Sequence, residues 1–185
     1  MNLISTTMKY VLILVSLAIY TVSNMEKFFT FSSLANIKEW RVVNDDVMGG
    51  VSKSSLTLTA DAHGQFSGQV SLENNGGFAS IQLNKTVKLD QDREFIVLRI
   101  KGDGKKYEFR LKNSASKPES YVHPFNTSGR WEEVKLPISE FYPQYRGRKL
   151  NASNFNFQII EQCSFLIANK QQENFQLLID WIGVD

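Results

Sequence analysis

Two adjacent carboxylates and two adjacent glycines lie close together in the segment Val43–Ser52, which reads VNDDVMGGVS. Glycine permits positive φ and close backbone approach, and N–H groups exposed there could cradle an anion or a sugar hydroxyl. A ligand site in this loop would use the following residues: Asn44, Asp45, Asp46, Met48, Gly49 and Gly50. The alternative is a tight crossover between strands, in which Asp45 or Asp46 caps turn N–H groups and Met48 fills the core. We favour the crossover.

A second group of candidates lies on segments with the alternating pattern of strands. His123 is predicted to share a strand face with Tyr121, from which it could meet Tyr107 and Arg110 across neighbouring strands. Tyrosine and tryptophan, including Trp131, are platforms that stack on sugar rings or anchor a protein partner. Such aromatics more often pack in a core, and such a histidine is more often structural. These five residues are therefore candidate binding residues, and the alternative is that they have only a structural role.

Catalytic motifs are missing from the sequence. It holds no G-x-S-x-G elbow, no P-loop, no H-E-x-x-H and no G-x-G-x-x-G after a strand. A single cysteine, Cys163, and two histidines leave no intrachain disulfide, no cysteine cluster and no three-histidine zinc site. A dispersed carboxylate pair for glycoside hydrolysis is the remaining catalytic alternative. We therefore predict a protein that is not an enzyme and that uses neither a cofactor nor a metal.

Short alternating segments separated by turn residues must position these side chains. About nine or ten of them follow one another along the chain, a pattern typical of a β-sandwich or barrel. Three exceptions are predicted: a short helix over Ser32–Trp40, a tight hairpin at Asn74–Gly77, and an irregular region over Ile138–Asn154. The pattern predicts one all-β domain over residues 25–185.

Composition limits the classes of partner. The 185 residues are 42% hydrophobic and 22% charged, which is enough apolar material for the core of a single globular domain. The net charge of +2 is too small to steer the whole surface towards nucleic acid or a membrane. We therefore expect a protein partner, with a glycan as the alternative, and no nucleic acid.

The first residues differ from the rest. Lys9 precedes the apolar run Val11–Val22, which is shorter than the roughly 20 residues that span a bilayer and which matches a signal-peptide core. Residues 1–23 are therefore expected to be a signal peptide or an N-terminal anchor, with no transmembrane span left after its removal. Cleavage after Ser23 would export the protein to the periplasm or cell envelope. If Met25 is the true start, the protein would be cytoplasmic.

An ordered set of motifs resembles the complex I intermediate-associated protein 30 family. The most specific motif is WRVVNDDVMGGVS at Trp40–Ser52. The weaker motifs follow in order: NNGGFAS (Asn74–Ser80), LRIKGDGKKY (Leu98–Tyr107), WEEVKLP (Trp131–Pro137), FYPQYRGRKL (Phe141–Leu150) and FQLLIDWI (Phe175–Ile182). Together they extend over nearly all of the chain after its first residues.

This resemblance implies a galactose-binding-domain-like jelly-roll β-sandwich. It also implies a chaperone-like role in assembling the respiratory NADH:ubiquinone oxidoreductase, and it attaches no catalytic residues. The predicted function is thus a non-catalytic protein-binding module that assembles or scaffolds a larger complex. The alternative, by analogy of fold alone, is a carbohydrate-binding module at the cell envelope. One departure is the secretion-like start, because mitochondrial members of the family begin with a transit segment.

Overall fold

The computed structural model describes residues 25–185. The signal peptide or anchor predicted for residues 1–23 lies outside this range. Within it the chain forms the following strands: β1 (Glu26–Thr30), β2 (Trp40–Asn44), β3 (Lys53–Leu58), β4 (Gly64–Val70), β5 (Ala79–Lys88), β6 (Phe95–Lys101), β7 (Lys106–Lys112), β8 (Ser120–Asn126), β9 (Glu132–Pro137), β10 (Tyr142–Tyr145), β11 (Arg148–Lys149), β12 (Ile159–Ile167) and β13 (Glu173–Val184). Single 3₁₀ turns occupy four segments: Ile37–Glu39, Asp45–Met48, Glu73–Asn75 and Ile138–Glu140.

The strands form two antiparallel sheets. The six-stranded sheet has the order β3-β4-β13-β6-β9, and β1 pairs with the far part of β13. The seven-stranded sheet has the order β11-β10-β8-β7-β12-β5-β2. Their inner faces enclose one apolar core, which confirms the predicted all-β sandwich.

Aromatic side chains build much of this core, as the alternating pattern predicted. Along β7 the side chains of Tyr107, Phe109 and Leu111 are fully buried, and the residues between them face outwards. Phe165 on β12 meets Phe109 edge to face, with ring centroids 4.9 Å apart. Aromatic pairs favour this geometry, since the positive ring edge meets the negative ring face. The core thus specifies which face of each strand points inwards.

The predicted helix over Ser32–Trp40 is wrong. Only Ile37–Glu39 forms a 3₁₀ turn, and its cap is Asn36, whose side-chain oxygen accepts from the Lys38 amide. Trp40 then begins β2 opposite Leu83 of β5. A single isolated turn is costly to nucleate, and Trp40 gains more by burial in the core than by extending that turn.

Two other local predictions also need correction. Ile138–Asn154 contains β10 and β11, which extend the edge of the seven-stranded sheet beyond β8. Asn74–Gly77 does turn the chain, with φ of 54° at Asn74. It is not a hairpin, because β4 before it and β5 after it belong to different sheets. The turn residues specified a reversal, but the partner of each strand depends on the whole sandwich.

Within the described range, no helix has the length and apolar character needed to cross a bilayer.

Candidate functional site

Asp45 is the centre of a hydrogen-bond network at one end of the sandwich. It opens the 3₁₀ turn after β2 and is 1% exposed. Its Oδ1 accepts from the Ser52 amide at 2.9 Å, and its Oδ2 accepts from the Ser52 hydroxyl. Oδ2 also accepts from the amides of Gly77 at 2.6 Å and Phe78 at 3.2 Å. One carboxylate therefore ties the loop after β2 to the loop that crosses between the sheets.

Hydrogen bonds determine the charge state of this carboxylate. Burial acts to raise the pKa of Asp45, but the Ser52 hydroxyl and the amides of Gly77, Ser52 and Phe78 donate to it and outweigh burial. The net result is a pKa below its ordinary value. Donors to the charged form favour ionisation, so Asp45 is an anion in the folded protein at neutral pH.

Two glycines leave room for the carboxylate. A Cβ on Gly50 would collide with the Asp45 side chain, and one on Gly76 would lie 2.6 Å from Asp45 Oδ2. Gly49 has a different reason to be glycine, because its φ is +90°. The sequence reasoning named both positive φ and close backbone approach as roles of glycine in this loop, and positive φ applies to Gly49. At Gly50 and Gly76 the role is close approach, to the side chain of Asp45.

The loop is thus a crossover whose capping carboxylate is Asp45. Both of its oxygens are occupied by internal donors, which argues against a role in holding a ligand. Asp46 is exposed, and its carboxylate accepts from the Val47 amide, while the Asn44 side chain accepts from the Ser54 hydroxyl. The expectation that Met48 fills the core is wrong, since 57% of it is exposed.

Exposed apolar side chains lie on the loops that Asp45 holds together. We call the following set the apical patch: Val47 (69% exposed), Met48 (57%), Val51 (42%) and Leu72 (45%). The Ser52 hydroxyl links the two loops a second time, because it accepts from the Ser71 amide at 2.9 Å. The patch is therefore carried by two loops that are fixed to each other.

The other predicted binding residues do not come together. Tyr107 and Tyr121 are buried, at 0% and 8% exposure, and the Tyr107 hydroxyl donates to Asp103 at 2.9 Å. His123 lies opposite Phe109 in the strand register, and its Nδ1 is 2.9 Å from the Pro124 carbonyl oxygen. It therefore pairs with neither Tyr107 nor Arg110. The period-two pattern located these residues on strands, but it could not tell buried platforms from exposed ones.

Trp131 lies against the six-stranded sheet, away from the other candidates. Its ring centroid is 4.5 Å from that of His63, and the Arg99 guanidinium lies 5.8 Å from it. His63 in turn lies 3.8 Å from the Asp180 carboxylate. Trp131 is half-buried in this cluster, so part of its ring is already covered by the protein itself.

Arg110 faces a polar cleft on the outer face of the seven-stranded sheet. The cleft has a volume of about 280 Å³, and its floor carries Gln82, Gln162 and Ser164, with Arg41 at the far side. Gln162 and Ser164 are 8% and 7% exposed although they point away from the core. Outward-facing side chains are buried in this way only where neighbouring groups form walls around them.

Sequence reasoning missed most of this cleft. Neighbouring positions on the outward face carry amides, hydroxyls and cations at every second residue, as in Gln82 and Asn84 or Gln162 and Ser164. That alternation is visible in the sequence. What brings the residues together is the strand order β2-β5-β12-β7, which joins segments far apart in the chain.

Groups suited to catalysis or metal binding are scarce in the described part of the chain. Residues 25–185 contain no group of three or more histidine, cysteine, aspartate or glutamate side chains that could hold a metal ion. Cys163 is buried, and burial raises the pKa of its thiol to about 12. Since the thiolate is the reactive form, this cysteine is unsuited to act as a nucleophile.

Comparison with protein families gives a match over most of the chain. The model of the complex I intermediate-associated protein 30 family matches residues 29–179. A probable mitochondrial complex I intermediate-associated protein 30 of Caenorhabditis elegans is 26% identical over 179 residues, covering 84% of this chain and 53% of the relative. The protein of that name in Drosophila melanogaster is also 26% identical, covering 85% of this chain and 62% of the relative. The chain thus spans about half to two thirds of these relatives.

A relative in Schizosaccharomyces pombe, named only as an uncharacterized protein, is 30% identical over 168 residues. That alignment covers 78% of this chain and 77% of the relative.

Solved structures share the fold at low sequence identity. A family 11 carbohydrate-binding module of Clostridium thermocellum, solved with a mixed-linked tetrasaccharide, has a TM-score of 0.61 at 14% identity. The match covers 86% of this chain and 94% of that module. An agarase has a TM-score of 0.60 at 11% identity, with 87% of this chain and 24% of the agarase covered. At these identities the likeness supports the predicted galactose-binding-like sandwich and extends to nothing more than the fold.

The predicted export to the periplasm or cell envelope is corrected by these comparisons. The relatives in Caenorhabditis elegans, Drosophila melanogaster and Mus musculus are all named as mitochondrial. The cytoplasmic alternative with a start at Met25 disagrees with them as well. The export prediction relied on a short apolar run after one lysine, outside the described residues. The match to the relatives rests instead on the folded domain itself.

Proposed function

This chain belongs to the complex I intermediate-associated protein 30 family, and from that premise we propose that it assists the assembly of respiratory complex I in mitochondria. The observation that carries the proposal is the family match over residues 29–179, which covers the whole sandwich except its ends. In this role the protein is a non-catalytic module that binds an assembly intermediate. Relatives named for this role in Caenorhabditis elegans and Drosophila melanogaster support it.

The apical patch is the part of the surface that we assign to the partner. Exposed apolar surface that is contiguous is a feature of interaction sites, and the apical patch carries four large exposed apolar side chains on two loops that are fixed to each other. Here the loops are held by the Asp45 network, so the patch is ordered before a partner arrives. Preordered contacts reduce the entropy that binding must overcome. This makes the patch suitable for an apolar surface of an assembly intermediate.

Glycan binding, the alternative predicted from the sequence, has less support. Sugar rings stack on exposed aromatic faces, but Tyr107 and Tyr121 are core residues. Trp131 already contacts His63 and Arg99. The carbohydrate-binding modules in the comparison resemble this chain in fold, at identities too low to transfer a ligand.

Affinity purification of the full chain from its native mitochondria, followed by mass spectrometry, tests the proposal. We expect complex I subunits to co-purify with the wild type and to be depleted about tenfold or more with a Val47→Ser, Met48→Ser double variant. Ile159→Ser is the control, because it removes an exposed apolar side chain, 41% exposed, that lies outside the apical patch at the start of β12. Recovery of glycans without complex I subunits would contradict the proposal.

A further inference from the structure

Cations are the only charged residues that line the polar cleft on the seven-stranded sheet, in the part of the chain that the structure describes. Its charged lining residues are Arg41, Arg110 and Lys112, with no carboxylate among them. Glu108 lies beside the cleft and forms an ion pair with Arg110, accepting from its Nε at 2.9 Å and also from its Nη2. Gln144 accepts from Arg110 Nη2 at 3.0 Å. These bonds orient the Arg110 guanidinium. The cleft therefore presents Arg41 and Lys112 as cations outside any ion pair of the described residues, and an oriented Arg110 whose charge is shared with Glu108.

Arg41 and Lys112 keep capacity for an incoming anion. Among the described residues Arg41 donates to Gln82 alone, at 2.9 Å, although a guanidinium carries five N–H donors. Lys112 donates to the Lys117 carbonyl oxygen. Burial lowers the pKa of Lys112, against an opposing influence of Glu119. The Lys112 ammonium is already partly desolvated in the free protein. Binding an anion there therefore costs less further desolvation, and the binding free energy is more favourable than at an open surface.

Strand register gives the spacing of the cations. Arg41, Gln82, Ser164 and Arg110 occupy one row across four adjacent strands. Three strand spacings correspond to about 14 Å. An extended peptide advances about 3.4 Å per residue, so side chains four residues apart are also separated by about 14 Å. Two acidic side chains at that spacing match the two arginines.

The groups between the arginines suit a peptide backbone. The Gln82 oxygen already accepts from Arg41 and the Gln162 amide already donates to Asn84, but each side chain keeps further donor and acceptor capacity, and Ser164 adds a hydroxyl. A peptide presents N–H and C=O groups in alternation, and both can be satisfied here. A phosphate only accepts and would leave the acceptors of the cleft unused. A sugar could use both kinds of group, but the cleft lining holds no aromatic ring for it to stack on.

We propose that this cleft binds an extended acidic segment of a protein, with carboxylates four residues apart at Arg41 and Arg110 and with Lys112 adding to the attraction. The inference rests on the proposed function in one respect, since the segment is taken to belong to the assembly partner. It concerns a second contact, separate from the apical patch. The cleft would recognise negative charge on the partner, whereas the apical patch would bury the partner's apolar surface.

Fluorescence anisotropy of a labelled peptide with the purified full chain tests the inference. The probe is a peptide of about ten residues, rich in serine and threonine, with two glutamates four residues apart. The matched peptide has glutamine at both positions, and a third has the glutamates two residues apart. We expect binding of the first peptide to be about tenfold tighter than that of either other, since each charge-assisted bond contributes on the order of a tenfold change in Kd.

Variants of the chain locate the contact. Arg41→Gln and Lys112→Gln should each weaken binding about five- to tenfold, and both should keep the wild-type melting temperature. Arg148→Gln is the control, because Arg148 is an exposed cation on β11, outside the cleft lining. It should leave the affinity unchanged.

Three results would overturn the inference. The first is affinity that the cleft variants leave unchanged. The second is displacement of the peptide by inorganic phosphate at a concentration as low as that of unlabelled peptide. The third is a neutral β-glucan tetrasaccharide that binds and loses affinity with Gln82→Ala but not with Arg41→Gln. The peptide assay needs no mitochondrial partner, so its failure can be told from failure of the assembly role.

Discussion

Asp45 is the main stabilising residue of its loop, since its carboxylate accepts hydrogen bonds from four donors on three residues. Asp45→Ala removes the acceptor and leaves the two Ser52 donors buried and the amides of Gly77 and Phe78 partly buried. We expect a loss of about 2–4 kcal/mol in the free energy of unfolding. Asp46→Ala, at an exposed neighbouring carboxylate, should change it by less than about 0.5 kcal/mol. Chemical denaturation measures both. Equal effects of the two substitutions would contradict the assignment of Asp45 as the capping carboxylate.

The same residue predicts a dependence of stability on pH. The pKa of Asp45 is lower in the folded protein than in the unfolded chain, so its stabilising effect is present above the unfolded value of about 3.8. That effect disappears as the pH falls through the folded value. Asp45→Asn, which cannot ionise, should flatten this part of the stability curve between about pH 5 and pH 2. An unchanged slope in the variant would show that other carboxylates control acid unfolding.

Sequence reasoning came close at Asp45 but could not choose between the two aspartates. Both have the short side chain that caps a turn. The choice depends on the amides of Gly77 and Phe78, more than thirty positions later in the chain. The exposure of Met48 was missed for a related reason. A sequence does not show what packs against an apolar residue in a loop, so Met48 was assigned to the core by its residue type alone.

At the scale of elements, the two loops at the end of the sandwich act as one unit. Gly50→Ala places a methyl group against the Asp45 side chain, and overpacking of this kind costs about 1–3 kcal/mol. Gly49→Ala meets no neighbouring atom and costs about 1 kcal/mol through its positive φ alone. Thermal and chemical denaturation of both variants measure the difference.

A double-mutant cycle separates the two reasons for glycine in this loop, which are close approach to Asp45 at Gly50 and positive φ at Gly49. In the background of Asp45→Ala, much of the collision at Gly50 is removed, so Gly50→Ala should cost less than it does in the wild type. Gly49→Ala should cost the same in both backgrounds. Additive behaviour at Gly50 would mean that the carboxylate is not what requires a glycine there.

The strands themselves were easier to predict than their partners. Alternation located β7 and its buried face correctly, with Tyr107 and Phe109 in the core. The same kind of argument made Asn74–Gly77 a hairpin, although it joins two sheets. Local residues determine whether the chain extends or turns. Which strands become neighbours depends on long-range burial, and the polar cleft depends on that neighbourhood.

At the scale of the whole molecule, the two faces and the end of the sandwich have different characters. The apical patch is apolar, the seven-stranded sheet carries the cationic cleft, and Trp131 lies against the other sheet with His63 and Arg99. Sequence motifs identified the family because they record residues that shape the fold, such as Asp45 and its glycines. They contain three residues of the apical patch, Val47, Met48 and Val51, but the motif alone does not tell that these side chains are exposed.

The most direct measurement of the central claim is the amount of assembled complex I in mitochondria that lack this protein, determined by native electrophoresis with in-gel NADH dehydrogenase activity. We predict a loss of about tenfold in the assembled enzyme, with other respiratory complexes unchanged. Wild-type protein and Ile159→Ser should restore it, and the Val47→Ser, Met48→Ser variant should not. Normal amounts of complex I in the absence of the protein would contradict the account.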